Sequence, residues 1–333
     1  MKRFLSFIVA AGVMSAATIA SASALDAQPV KKLSGNLKID GSSTVYPITE
    51  AVVEEFKKTA EKVNITVGIS GTGGGFKKFG AGEIDIADAS RPIKKEEHDK
   101  AVEGKIEYIE LPVAYDGLSI IVNKKNTWVD KLTLDELKKL FTTSGSAKSW
   151  KDVRSSFPDR PVKLFAPGTD SGTFDYFKEV IATKEAAIRA DMSVSEDDNV
   201  LVKGVEGDEG AVAFLGYAYY VENKDKLKVV PIDAGKGAIA PNHDTITDGT
   251  YAPFSRPLFI YVNKKAASRA EVKAFVEFYL DKVSDVVDEV GYVQIPSEVI
   301  SRARANFKAL KTGTQYTNDK GEKVSGPLEK VYK

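Results

Sequence analysis

Cysteine is absent from the 333 residues. That excludes disulfide frameworks, iron–sulfur clusters, thiolate metal sites and thiol nucleophiles. Histidine is nearly absent too. Only His98 and His243 occur, far apart in sequence, so a multi-histidine metal site within one chain is excluded. Net charge is also missing: Lys plus Arg and Asp plus Glu both total 47. This balance argues against a basic nucleic-acid binder and against an acidic disordered tail. What remains is ordinary globular composition, with 43% hydrophobic and 28% charged residues. The chain is long enough for about two domains, each able to bury a core.

The first segment reads as an address. Lys2 and Arg3 precede an apolar, small-residue run to Ala20, and Ala22-Ser23-Ala24 fits a small-x-small cleavage pattern. The expectation is a signal peptide over 1–24, with Leu25 as the new N-terminus. The run is too short and too poor in large residues for a spanning helix, which needs ~20 predominantly apolar residues. With no cysteine after it, lipid anchoring is excluded. Removing 24 of the 333 residues leaves 309, with 45 basic and 47 acidic once Lys2 and Arg3 are gone. The mature protein is expected to be exported, soluble, not membrane-embedded, and kept in a periplasm.

From residue 37 the pattern repeats as strand, small-residue turn, helix. Strands are predicted at 37–39, 63–69, 84–87 and 162–166. Helices are predicted from Pro47 through Phe56, around 76–81, and over 174–182, where Pro47 suits a first helical turn. This alternation predicts an α/β fold with mainly parallel pairing. Two further apolar runs, 106–123 (interrupted at Asp116-Gly117) and 254–263, end in the related signatures IIVNKK and IYVNKK and read as connectors between two lobes. Helices near 271–290 would return to the first lobe. The polar tail, 312–333, reads as an irregular surface strap. His98, within KKEEHDK, is expected on the surface, and His243, within PNHDT, in a loop.

Three small-residue loops each open a helix: Gly41-Ser42-Ser43-Thr44, Gly71-Thr72-Gly73-Gly74-Gly75 and Asp170-Ser171-Gly172-Thr173. One such loop could be no more than a helix cap. Three at strand-to-helix junctions suggest a ligand, because ligands of open α/β sheets sit beyond the carboxyl ends of the strands. A helix N-terminus presents unpaired N–H groups and partial positive charge, glycine permits close approach, and hydroxyls add donors. The natural guest is an oxyanion. Arg91, after the strand at 84–87 and before Pro92, supplies a counter-charge with a fork suited to tetrahedral oxyanions. The alternative is a surface Arg91 paired with Asp88 or Asp85. Arg256 repeats the Ser-Arg-Pro triplet and either lines the cleft or braces the hinge. Charge-assisted hydrogen bonds contribute roughly 1.5–3 kcal/mol each, and micromolar binding needs only about 8 kcal/mol, so six to ten such donors around an anion could suffice.

Four segments carry a resemblance: IDGSSTVYPITEA (39–51), VGISGTGGGFKKF (67–79), DIADASRPI (85–93) and APGTDSGTFDYF (166–177). Their order and spacing resemble those of the periplasmic phosphate-binding proteins of bacterial phosphate ABC transporters. The resemblance implies a two-lobed, type II-like periplasmic binding protein with a two-strand hinge: lobe I over 25–115 plus 257–333, lobe II over 116–256. It implies capture of inorganic phosphate without a cofactor and delivery to ABC transporter permease subunits, by a monomer that does no catalysis. Carried over by residue, the phosphate-binding set is Ser43, Thr44, Thr72, Ser90, Ser171, Gly172 and Thr173, with Arg91 added from the reading above. The chain departs from the family in two places. Ser90 stands where well-known members have an Asp that accepts the proton of hydrogen phosphate, and Pro167 stands where they have an Arg. Arg91 would replace that cation from the opposite lobe. Asp170, Asp116 or a backbone carbonyl is left as the proton acceptor.

The rival readings are a binder of sulfate or molybdate, a phosphate-ester hydrolase, and a sensory protein of the same fold. Catalysis finds little support. Ser171 is not in a Gly-x-Ser-x-Gly elbow, no Walker pattern occurs, and neither histidine lies in a small-residue loop.

Overall fold

In the computed structural model of the chain, the residues described are 32–169, 171–183, 185–195, 197–317, 324 and 326–333. The proposed signal peptide and Asp170 therefore lie outside the described residues.

One sheet runs through the molecule. In spatial order its strands are Val63–Ile69, Gly35–Gly41, Ile86–Ala89, Ser255–Asn263, Tyr108–Asn123, Ala211–Gly216, Lys163–Pro167 and Ser193–Ser195, with Leu227–Val229 pairing off this path against the end of Tyr108–Asn123. The strand Tyr108–Asn123 is shared by both halves. Its first part pairs with Ser255–Asn263, from Tyr108 opposite Asn263 to Gly117 opposite Ser255. Its second part pairs with Ala211–Gly216, from Leu118 opposite Gly216 to Val122 opposite Val212. All 16 of its residues are buried, which is why its sequence is almost continuously apolar rather than alternating. Asp116-Gly117 does not interrupt it, contrary to the sequence reading, because Ser255 and Arg256 pair across that point.

Pairing is parallel within each half but antiparallel at the centre. Gly35–Gly41 pairs in parallel with both Val63–Ile69 and Ile86–Ala89, and Lys163–Pro167 in parallel with both of its neighbours. The two long strands run antiparallel to each other. One carries the chain out of the first half and the other brings it back, so mainly parallel pairing holds only inside each half.

Helices cover the sheet. The helix Ala270–Glu289 buries Val272, Phe275, Val276, Tyr279, Leu280, Val283, Val286 and Val287, the three-and-four spacing of an amphipathic helix. Its Phe275 and Phe278 meet Phe56 of the helix Tyr46–Lys57 edge-on, with centroids 5.4 Å apart in each case. In the second half Phe177 stacks on Phe214 at 3.9 Å. The helix Ser297–Lys308 was not foreseen from the sequence.

The tail is more than a surface strap. Tyr316, Leu328 and Tyr332 are buried. The Tyr332 hydroxyl donates to the Glu110 carbonyl at 2.9 Å. Thr314 and the Gln315 N–H donate to the buried Glu110 carboxylate at 2.6 and 2.9 Å. These anchors follow no period, so a polar composition hid them. His98 is half-buried rather than on the surface, its Nδ1 2.7 Å from the Tyr108 hydroxyl. His243 opens the short helix His243–Thr247 instead of lying in a loop.

Candidate functional site

Three parallel strands of the first half end side by side, since Gly41 is in register with both Ile69 and Asp88. The loops that leave them are therefore neighbours. Gly41 has φ +148°, and a Cβ there would lie 2.1 Å from the Asp88 carbonyl oxygen, so only glycine permits this turn. The Ser42 N–H donates to that same carbonyl at 2.9 Å, and the Ser42 hydroxyl accepts from the Thr44 N–H at 3.2 Å.

The second helix spans Gly71–Gly80 and takes the whole glycine run into its first turns, five residues earlier than its sequence suggests. Glycine's poor helix propensity is overridden by packing. The helix lies so close to the first strand that a Cβ on Gly75 would sit 2.6 Å from Gly41 Cα. Thr72 is thereby held over the third strand end. Its Oγ1 accepts from the Ser90 N–H at 3.1 Å and is 3.0 Å from the Ser90 hydroxyl.

The fourth loop comes from the second half and meets the first. Ser171 caps the helix Gly172–Ile181, its Oγ accepting from the Thr173 N–H at 3.2 Å. A Cβ on Gly172 would lie 2.5 Å from Thr44 Oγ1 and 2.6 Å from Thr44 Cα. The Thr44 hydroxyl donates to the Gly172 carbonyl at 3.4 Å, and the Ser43 hydroxyl to Asp175 at 3.4 Å. Two helix N-termini, from opposite halves of the sheet, thus converge on one cluster of small residues.

The cation at this junction is Arg256. Its Nη2 donates to Thr44 Oγ1 at 3.1 Å, its Nη1 to Glu179 at 3.0 Å and its Nε to Asp116 at 3.3 Å. Its guanidinium lies 3.6 Å from the centre of the Tyr176 ring. Arg256 therefore both lines the cleft and braces the paired central strands. The Asp116 side chain is 3% exposed. Burial pushes its carboxyl upward against the opposing pull of Arg256.

Arg91 is placed differently from the expectation. Its fork makes two 2.8 Å bonds to Glu97, and its partner is neither Asp88 nor Asp85. Burial works against its charge, but Glu97 holds the guanidinium protonated. Arg91 does face the same cleft as Ser90 and Arg256. Asp88 is buried among the helices, and neither of its oxygens makes a hydrogen bond of ordinary geometry. Burial raises its carboxyl to about 8, an effect the neighbouring Thr49 hydroxyl offsets only in part.

The structure thus brings Thr44 and Gly172 into contact, sets Ser43 against Asp175, links Thr72 to Ser90, and joins Arg256 to Thr44. The sequence signal for Arg256 was the repeated Ser-Arg-Pro triplet; its contacts depend on strand pairing across 140 residues. Chemically the junction is rich in donors: hydroxyls, helix N-terminal amides and a guanidinium. Such a set suits an anion.

Comparison with known proteins agrees with this architecture. A family model described as the PBP superfamily domain matches residues 26–283. Protein SphX of Synechococcus elongatus is 49% identical over 297 residues, covering 88% of this chain and 87% of its own. The phosphate-binding protein PstS of Staphylococcus aureus is 42% identical over 290 residues, covering 86% and 87% respectively. The crystal structure of a possible phosphate binding protein from Planctomyces limnophilus superposes with a TM-score of 0.80 at 44% identity, covering 84% of this chain and 99% of that one. The fold is thus that of the two-lobed binding proteins. The chain belongs to the PBP superfamily and, within it, to the family that contains PstS and SphX.

Proposed function

We propose that this protein captures inorganic phosphate between its two lobes and hands it to the permease of an ABC transporter. The observation that carries the reading is the junction of Thr44, Gly172 and Arg256, where the helix N-terminus of one half meets the first loop of the other. The lobes are 25–115 plus 257–333 and 116–256, with the paired central strands as the hinge. With the lobes apart, the loops are open to solvent. Phosphate enters, and Ser43, Thr44, Thr72 and Ser90 from one side meet Ser171, Gly172 and Thr173 from the other as the hinge closes. Arg256 supplies the nearest charge, and Arg91, held by Glu97, is a cation of the cleft wall. The Thr72 and Ser90 hydroxyls, which pair with each other here, would turn to the anion.

Selection of phosphate needs an acceptor for its remaining proton. Sulfate carries none near neutral pH. Of the acceptors left open by the loss of an Asp at Ser90, the Gly172 carbonyl and the Asp116 carboxylate reach the junction among the described residues, where Asp175 and Glu179 stand as well. The protein does no bond chemistry, and its relatives are binding proteins. Among the described residues no helix is long and apolar enough to cross a membrane. Together with the N-terminal pattern, this supports export through a cleaved signal peptide to the periplasm, where the protein works as a monomer.

Calorimetric titration of phosphate-stripped protein with phosphate, arsenate and sulfate tests the reading. Phosphate and arsenate are expected to bind one per chain and to compete, with sulfate failing to displace them. Tighter binding of sulfate or molybdate would replace this reading with that of another oxyanion carrier.

A further inference from the structure

Hydrogen phosphate and sulfate are tetrahedral dianions of nearly the same size, and one O–H group separates them. A site that tells them apart must present an oxygen that accepts this proton and offers the anion no hydrogen of its own. Three acceptors at the junction are already engaged. The Gly172 carbonyl takes the Thr44 hydroxyl at 3.4 Å. The Asp116 carboxyl is bonded to Arg256 Nε, and burial pushes it toward its neutral form. Glu179 accepts from Arg256 Nη1 at 3.0 Å.

Asp175 is different. It lies in the first turn of the helix Gly172–Ile181, where a carboxylate is favoured by the helix dipole. It does not cap that helix, because the Ser171 hydroxyl already accepts from the Thr173 N–H. Its carboxylate instead turns across the junction and accepts from the Ser43 hydroxyl at 3.4 Å, 132 residues away in sequence. Among the described residues it has no other hydrogen-bond partner and no cation against it.

This contact sets the polarity of Ser43. A serine hydroxyl has a single hydrogen and otherwise lone pairs. While the hydrogen points at Asp175, the Ser43 oxygen shows the cleft its lone pairs. Hydrogen phosphate can donate its proton to them. Sulfate has no proton to give and meets an oxygen that repels it. Ser43 is half-buried and Asp175 exposed; they come from opposite lobes, so closure of the lobes would enclose the pair.

We propose that Asp175 is the specificity-determining carboxylate of the cleft, a positioning residue that fixes the Ser43 hydroxyl as acceptor for the proton of a hydrogen oxyanion. This rests on the phosphate reading above and deepens it. It supplies the discrimination that Ser90, standing where an Asp is lost, does not.

The test titrates the phosphate-stripped full chain with phosphate, arsenate and sulfate, in the parent, Asp175→Asn, Ser43→Ala and the double variant. The amide introduced by Asp175→Asn can donate to the Ser43 oxygen and so free the Ser43 hydrogen for the anion. The ratio of phosphate to sulfate affinity is expected to fall at least about tenfold, the effect of one hydrogen bond to a charged group. Arsenate is expected to follow phosphate, because hydrogen arsenate also keeps a proton. In the Ser43→Ala background, Asp175→Asn is expected to change the ratio less than about twofold, as for residues that act through one contact. Asp175 is exposed and makes one long bond, so the unfolding temperature of Asp175→Asn should stay near the parent's. A shift of phosphate and sulfate by the same factor would mean a loss of negative charge and nothing more, and would overturn the proposal. So would an undiminished effect in the Ser43→Ala background, since Asp175 would then act without Ser43. A parent chain that binds phosphate and sulfate alike would overturn it and leave anion capture standing; failure of the parent to bind phosphate would remove both readings.

Discussion

Arg256 is bonded to residues from three parts of the chain, Thr44, Asp116 and Glu179, whereas the Arg91 fork is filled by one carboxylate, Glu97. The two arginines are therefore not equivalent. Removing Arg256 alone would leave Asp116 buried without its cation, which is itself destabilising. The informative variant is Arg256→Ala combined with Asp116→Asn. Measured against Asp116→Asn alone, it is expected to bind phosphate about 10- to 100-fold more weakly, the range of one or two charge-assisted hydrogen bonds. Arg91→Ala is expected to lose less, because its guanidinium would have to leave Glu97 to reach the anion. Calorimetry on the two variants checks the order, and a larger loss in Arg91→Ala would reverse the assignment.

Among the elements, the helix Gly172–Ile181 makes the sharpest prediction. Gly172 is its first residue, where alanine would ordinarily favour a helix over glycine. A Cβ there meets the Thr44 backbone at 2.6–2.7 Å, so Gly172→Ala is expected to push the two loops apart and obstruct closure. Phosphate affinity should fall at least about tenfold; unchanged affinity would show that this contact does not form in the bound state. The elements with a clear period were legible in the sequence. The strand Val63–Ile69 and the helix at Pro47 stand where alternation and three-and-four spacing put them. The loops after strands were legible as donors because their composition is unusual. What was hidden depends on contacts distant in sequence. The glycine run joins a helix because Gly75 must approach Gly41. The tail is anchored by three scattered residues, and Glu97, six residues beyond Arg91, claims that side chain. No local pattern encodes such pairings.

For the molecule as a whole, three buried carboxyls shape the response to pH above the ordinary carboxyl range. Asp88, Glu110 and Asp116 are each raised by burial. A carboxyl raised in the folded state keeps its proton there while the unfolded chain has already lost it. The stability these three contribute is therefore fully present below the ordinary carboxyl range and is lost as pH rises through the folded value. For Asp88 that window runs from its ordinary 3.8 to about 8. The unfolding temperature should fall across it, and Asp88→Asn should flatten the fall; parallel slopes in parent and variant would exclude Asp88 as its source. Ligand binding is the larger question, because the whole account depends on loops from both lobes enclosing one anion. A crystal structure of the protein grown with phosphate tests this most directly. The expected result is one tetrahedral anion touching the Thr72 hydroxyl, the amides at Gly172 and Thr173, and the Arg256 guanidinium; an anion bound away from these loops, or contacting loops of one lobe only in a closed molecule, would contradict it.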